Sequence, residues 1–163
     1  MKTKRLAELS LLTGLALIIF IVELRFPDII PVPGVKLGLA NVITVYAVYR
    51  YKAAETALLV LSRVILGTLF ASTFSALIYS LSGAVLCLAG MLLIRRIIPI
   101  RWLWLCSIIG AILHNTGQII AASAVLRSFA VIAYYPILVI SGCIAGAFTG
   151  ICAQLVINKI NVK

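Results

Sequence analysis

Apolar runs of transmembrane length, each ended by Pro, Gly or charge, are what most constrains this chain. They fall at about residues 6–24, 35–49, 53–70, 75–94, 102–126 and 131–157. A helix that crosses the hydrocarbon core of a bilayer needs about 20 predominantly apolar residues. In lipid every backbone N–H and C=O must find a partner within the structure, so such runs fold as helices. Composition agrees: of 163 residues, 64% are hydrophobic and 11% charged, against about 45–50% and about 25% in soluble domains. A soluble enzyme, a coiled coil and a disordered segment are excluded. The sequence therefore predicts an all-α integral membrane protein with six transmembrane helices. Six spans leave too little chain for a soluble unit, so residues 1–163 read as a single transmembrane domain.

The first run is stopped by Arg25-Phe26-Pro27-Asp28, and Pro31 and Pro33 hold the next stretch extended. No small-residue cleavage site follows that run, so it is expected to be a retained helix rather than a signal peptide. Lys and Arg number 14 against 4 Asp and Glu, a net +10. On a soluble protein that balance would suggest nucleic acid; here it is first a statement about orientation. Six spans put both termini on one side. Assigning that side to the cytoplasm gathers Lys2, Lys4, Arg5, Arg50, Lys52, Arg95, Arg96, Arg101, Lys159 and Lys163 there. Arg25, Lys36 and Arg127 fall outside, and Arg63 lies within a span. Tyr46, Tyr49, Tyr51, Trp102 and Trp104 then sit at the cytoplasmic interface, where amphipathic rings prefer to lie. The expectation is a multi-pass protein of a cell membrane, in contact with lipid and not with nucleic acid.

Helices in lipid associate by close packing, so small residues at helical spacing mark contact faces. Gly142, Gly146 and Gly150 form such a stripe on the sixth span, expected to meet another helix of the same chain. Ala7, Ser10 and Gly14 share a face of the first span, which fits either a neighbouring helix or a separate membrane partner.

Polar groups within the spans need a reason, because a charge at mid-membrane costs about 2.5–3.5 kcal/mol on insertion scales. Arg63 lies near the middle of the third span. His114, Asn115 and Gln118 share one face of the fifth, by their i, i+3 and i, i+4 spacings. Asn41 lies in the second span, Glu23 and Lys36 flank the proline-rich connection, and Tyr134-Tyr135-Pro136 opens the sixth span. One reading makes these structural, with Arg63 on a helix carbonyl or Glu23 and the His-Asn-Gln group stitching helices together. The other makes them the wall of an outward-facing cavity, with Arg63 and Lys36 favouring a ligand that has an anionic or strongly polar part. A proton relay through His114 is a third option.

Enzyme chemistry is not encoded in any familiar form. No P-loop or Gly-x-Gly-x-x-Gly occurs. Glu8, Glu23, Asp28 and Glu55 form no carboxylate cluster for Mg²⁺. One histidine and the dispersed Cys87, Cys106, Cys143 and Cys152 make no zinc motif, and these thiols read as small buried hydrophobes. The expectation is a non-enzyme without metal or cofactor.

Several of these segments also resemble one family. Pro33-Gly34-Val35-Lys36-Leu37-Gly38-Leu39-Ala40-Asn41, the lone Arg63 followed by Leu66-Gly67, Ser80-Leu81-Ser82-Gly83-Ala84, His114-Asn115-Thr116-Gly117-Gln118 and Tyr134-Tyr135-Pro136-Ile137-Leu138 fit the pattern of the Gx transporter family. Its members are often labelled heptaprenyl diphosphate synthase component I, although the aspartate-rich motifs of such catalysis do not occur here. The family is similar to the substrate-binding S components of energy-coupling factor (ECF) transporters, which are small six-helix membrane proteins. The resemblance implies capture of a small molecule from outside, followed by toppling driven by a separate transmembrane coupling protein and two ATPases. It implies docking to the coupling protein through small residues of the first helix, for which Ser10-x-x-x-Gly14 stands where Ala-x-x-x-Ala is usual. The connection over residues 27–34 would cap the ligand. Lys36, Asn41, Arg63, His114, Asn115, Gln118 and Tyr135 are the candidate substrate-binding residues. The implied substrate is a prenyl or quinone-related molecule, a vitamin-like compound or a flavin. The alternative function is a non-catalytic membrane anchor of a soluble prenyl diphosphate synthase, and a stand-alone proton-coupled carrier is a third.

Overall fold

The computed structural model describes residues 3–25, 38–71 and 74–161. Among them are six α-helices and no strand: α1 (Thr3–Glu23), α2 (Asn41–Arg50), α3 (Ala53–Ala71), α4 (Phe74–Ile94), α5 (Leu103–Leu126) and α6 (Tyr135–Asn161). Short 3₁₀ turns, Ile100–Trp102 and Phe129–Tyr134, lead into α5 and α6. Five of the six helices, all but α2, are long and apolar enough to cross a membrane. Their outward faces confirm the inverted economy of a lipid-facing surface: Leu11 and Leu69 are each 74% exposed and Ile144 is 68% exposed. A water-soluble fold does not present such continuous apolar surface.

The expected second span, 35–49, is corrected by α2, which has ten residues. At 1.5 Å per residue it is about 15 Å long, half of a hydrocarbon core of about 30 Å. Residues 35–37 lie outside the described residues. The helix starts at Asn41 because the backbone before it is committed elsewhere. Gly38 has φ +68°, a left-handed conformation that glycine adopts without steric cost. The Glu23 carboxylate at the end of α1 accepts the backbone N–H groups of Gly38 and Leu39. Asn41 N–H then donates to Gly38 O (2.8 Å) and Val42 N–H to Leu39 O (3.1 Å), which forms the turn that opens α2.

Packing runs from α3 to α4, α5 and α6, and α2 bridges α6 back to α3; α1 rests on α3. The tightest seams are those that α5 makes with α4 and α6. A methyl group placed at Gly150 would lie 2.6 Å from Trp104 Cα, at Gly146 2.8 Å from Ile108 Cα, and at Gly142 2.7 Å from Asn115 Nδ2. The α6 glycines therefore face α5 of the same chain. On the other side of α5, a methyl at Gly117 would meet Ser82 O at 2.6 Å. Gly14 of α1 has nothing within 4 Å of such a methyl, and Ala7, Ser10 and Gly14 are all exposed.

One end of the bundle is tied by its basic residues. Arg5 clasps Glu55 through Nε (3.2 Å) and Nη2 (2.9 Å) and lies 4.5 Å over the Tyr51 ring. Arg95 donates to the carbonyls of Val48 and Tyr51 at the end of α2, where a cation also favours the helix dipole. The Tyr49 hydroxyl donates to Ile98 O at 3.2 Å. These contacts bring the starts of α1 and α3 together with the ends of α2 and α4. The paired rings of Trp102 and Trp104, 6.1 Å apart, stand at the start of α5.

Candidate functional site

Because α2 is short, its first turn opens into the interior of the bundle. There a cavity of about 170 Å³ is lined by residues from every helix. On the measure by which one water needs about 10–15 Å³, it has room for about ten water-sized atoms. Phe20 and Glu23 come from α1, Asn41, Thr44 and Val45 from α2, and Arg63, Val64, Gly67 and Thr68 from α3. Ser80, Cys87 and Met91 come from α4, while His114, Asn115, Gln118 and the Gly142–Gly146 stretch supply the α5–α6 wall.

The two sides of this cavity differ in how their polar groups are satisfied. On the α5–α6 side, Ser107 Oγ and Thr149 Oγ1 share a hydrogen bond at 3.1 Å. Asn115 Nδ2 donates to Leu138 O at 2.6 Å, and Ser141 Oγ donates to the same carbonyl at 3.1 Å. Asn115 and the Ser107–Thr149 pair stitch α5 to α6, while Ser141 bonds within α6. On the α2–α3 side, Arg63 Nη2 donates to Asn41 Oδ1 at 3.1 Å, while Arg63 Nε is buried without a partner. Thr44 Oγ1 is likewise buried and unpartnered, on a residue only 4% exposed. Thr13, Thr56, Thr68, Thr116 and Thr149 each donate to a carbonyl three or four residues back. Thr44 does not. An unmet buried donor costs about 1–3 kcal/mol; away from the cavity, Ser123 Oγ of α5 and Gln154 Oε1 of α6 are also buried without a partner.

Five of the seven candidate residues thus reach one cavity: Asn41, Arg63, His114, Asn115 and Gln118. His114 and Gln118 lie against Gly83 of α4, where a methyl would come within 3.0 Å of both side chains. Tyr135 is not among the lining residues; its hydroxyl is 2.9 Å from Thr116 Oγ1. Lys36 lies outside the described residues, as does the connection over 27–34. Arg63 does not pair with Glu23, whose oxygens are engaged by the Gly38 and Leu39 amides. Thr44 escaped sequence reasoning, although it stands one turn from Asn41 and so had to share its face.

Residues 12–156 match the family described as heptaprenyl diphosphate synthase component I. The chain belongs to that family. No curated protein and no solved structure matches it. Family membership and the five membrane-length helices together make the family member a multi-helix membrane protein. Among the described residues no group of three or more His, Cys, Asp or Glu is placed to hold a metal ion.

Proposed function

We propose that the chain is the substrate-binding membrane subunit of an ECF-type importer. It captures a small molecule in the central cavity and hands it inward with a separate coupling protein and two ATPases. The observation that carries this reading is the cavity itself, walled by all six helices and holding unpartnered donors on Arg63 and Thr44. The absence of a nucleotide-binding motif from the sequence fits a subunit whose driving ATPases are separate. In this reading both termini and the basic end face the cytoplasm of a bacterium, following the excess of Lys and Arg. The exposed Ala7-Ser10-Gly14 face of α1 docks the coupling protein, since a surface without bulk there lets a partner helix approach closely.

The test is purification of the tagged full chain in mild detergent. Expected are co-elution of a multi-span membrane protein with two nucleotide-hydrolysing subunits, and ATP-driven uptake by the reconstituted complex. Gly14→Leu should abolish the association while the chain still folds. A chain that always elutes without ATPases overturns the reading.

The family's description supports a second reading, a membrane anchor for a prenyl diphosphate synthase. The basic end would then hold a soluble, acidic partner close to its lipidic product. Charge reversal at Arg96 and Arg101 separates the two readings: it should release a docked synthase and leave cavity binding intact.

A further inference from the structure

We infer that the ligand of this cavity is a small organic monocarboxylate, held by its carboxylate between Arg63 and Thr44. The inference rests on the capture reading above and narrows it to a chemical class.

Arg63 is a cation within a membrane-length helix, and among the described residues it makes no ion pair. Its hydrogen bond is to the neutral Asn41 amide, which fixes the guanidinium through Nη2 and leaves Nε buried and unpartnered on a residue that lines the cavity. A charge so placed is costly until an anion joins it. The guanidinium fork suits a carboxylate, whose two oxygens accept parallel N–H donors. The orphaned Thr44 hydroxyl, one turn along α2 from Asn41, supplies a further donor on the same wall.

The wall also limits the charge of the guest. Arg63 is the sole permanent cation among the described lining residues, and the Glu23 carboxylate is part of the same lining. Arg63 can meet one added negative charge directly, whereas a diphosphate would bring further charge against Glu23 with no second cation in the described lining to offset it. Size points the same way. About 170 Å³ is below the roughly 300–1,000 Å³ typical of pockets for drug-sized ligands. The lining also carries apolar side chains, Phe20, Val45, Val64, Cys87 and Met91, beside the polar His114 and Gln118, which suits a compact body that is hydrocarbon in part.

The experiment uses the purified full chain in lipid nanodiscs, with calorimetric titration of butyrate, hexanoate, benzoate and 3-phenylpropionate. Each is compared with its primary amide and with a monophosphate of matching body. At least one carboxylate should bind ten-fold or more tightly than its amide. Arg63→Gln should erase that difference, Arg63→Lys should restore part of it, and Thr44→Val should weaken carboxylate binding several-fold. Lys159→Gln, remote from the cavity, should bind as the unaltered chain does. If Arg63→Gln does not fold, Thr44→Val carries the comparison alone. Amides that bind as well as carboxylates, or phosphates that bind better, overturn the monocarboxylate assignment and leave capture standing. If no probe binds, and mass spectrometry of the denatured protein detects no released small molecule, both readings fall.

Discussion

The α5–α6 wall of the cavity and the α2–α3 wall facing it are built on opposite principles. On the first, glycines bring backbones into contact and each seryl, threonyl and asparaginyl group named there has a protein partner. On the second, a guanidinium and a hydroxyl remain partly unused in a buried setting. The contrast separates polar groups that are paired within the bundle from polar groups that are not. Both kinds look identical in a hydropathy profile.

Substitutions should break the two walls in different directions. The largest effect is expected at the α5–α6 seam. Gly150→Leu would drive a side chain into the Trp104 backbone and should lower stability by about 3 kcal/mol or more, measured by denaturant unfolding in micelles. Asn115→Ala should cost about 1.5 kcal/mol in the same assay, since interhelical hydrogen bonds in membranes reach that size. Arg63→Gln should move the other way, raising stability by about 1 kcal/mol, because it removes a buried charge that has no direct ion pair from a membrane-length helix. A loss of stability there equal to that of Asn115→Ala would erase the distinction between the walls. The smallest change is expected at Gly14→Ala. Nothing within 4 Å opposes the added methyl, so helix propensity alone should stabilise by about 0.5 kcal/mol.

The comparison also explains what could be read from the sequence. The runs at 53–70, 75–94 and 102–126 coincide closely with α3, α4 and α5, because length and apolarity suffice to define a membrane helix. The run at 35–49 is shorter as a helix because hydropathy does not register Gly38's left-handed backbone or the hold of Glu23 on the amides beside it. Arg63 and the His114-Asn115-Gln118 face were legible as polar interruptions at one depth. Their division into satisfied and unsatisfied groups was not. That division depends on which carbonyl lies opposite, as Leu138 does for Asn115 and none does for Thr44. Tyr135 is a similar case: its hydroxyl pairs with Thr116 and the residue is not among those lining the cavity, which spacing alone does not reveal.

The grip of Glu23 on Gly38 and Leu39 has a mechanical consequence. Glu23 ends α1, Leu39 stands two residues before Asn41, and Asn41 positions the Arg63 guanidinium. A shift of α1 along α3 is therefore transmitted, through one carboxylate and a single turn of backbone, to the orientation of the buried cation. Thermodynamic reciprocity then sets a condition on any protein that grasps the outer face of α1. To the extent that its grasp weakens the hold on a guest at Arg63, the guest weakens that grasp by the same factor.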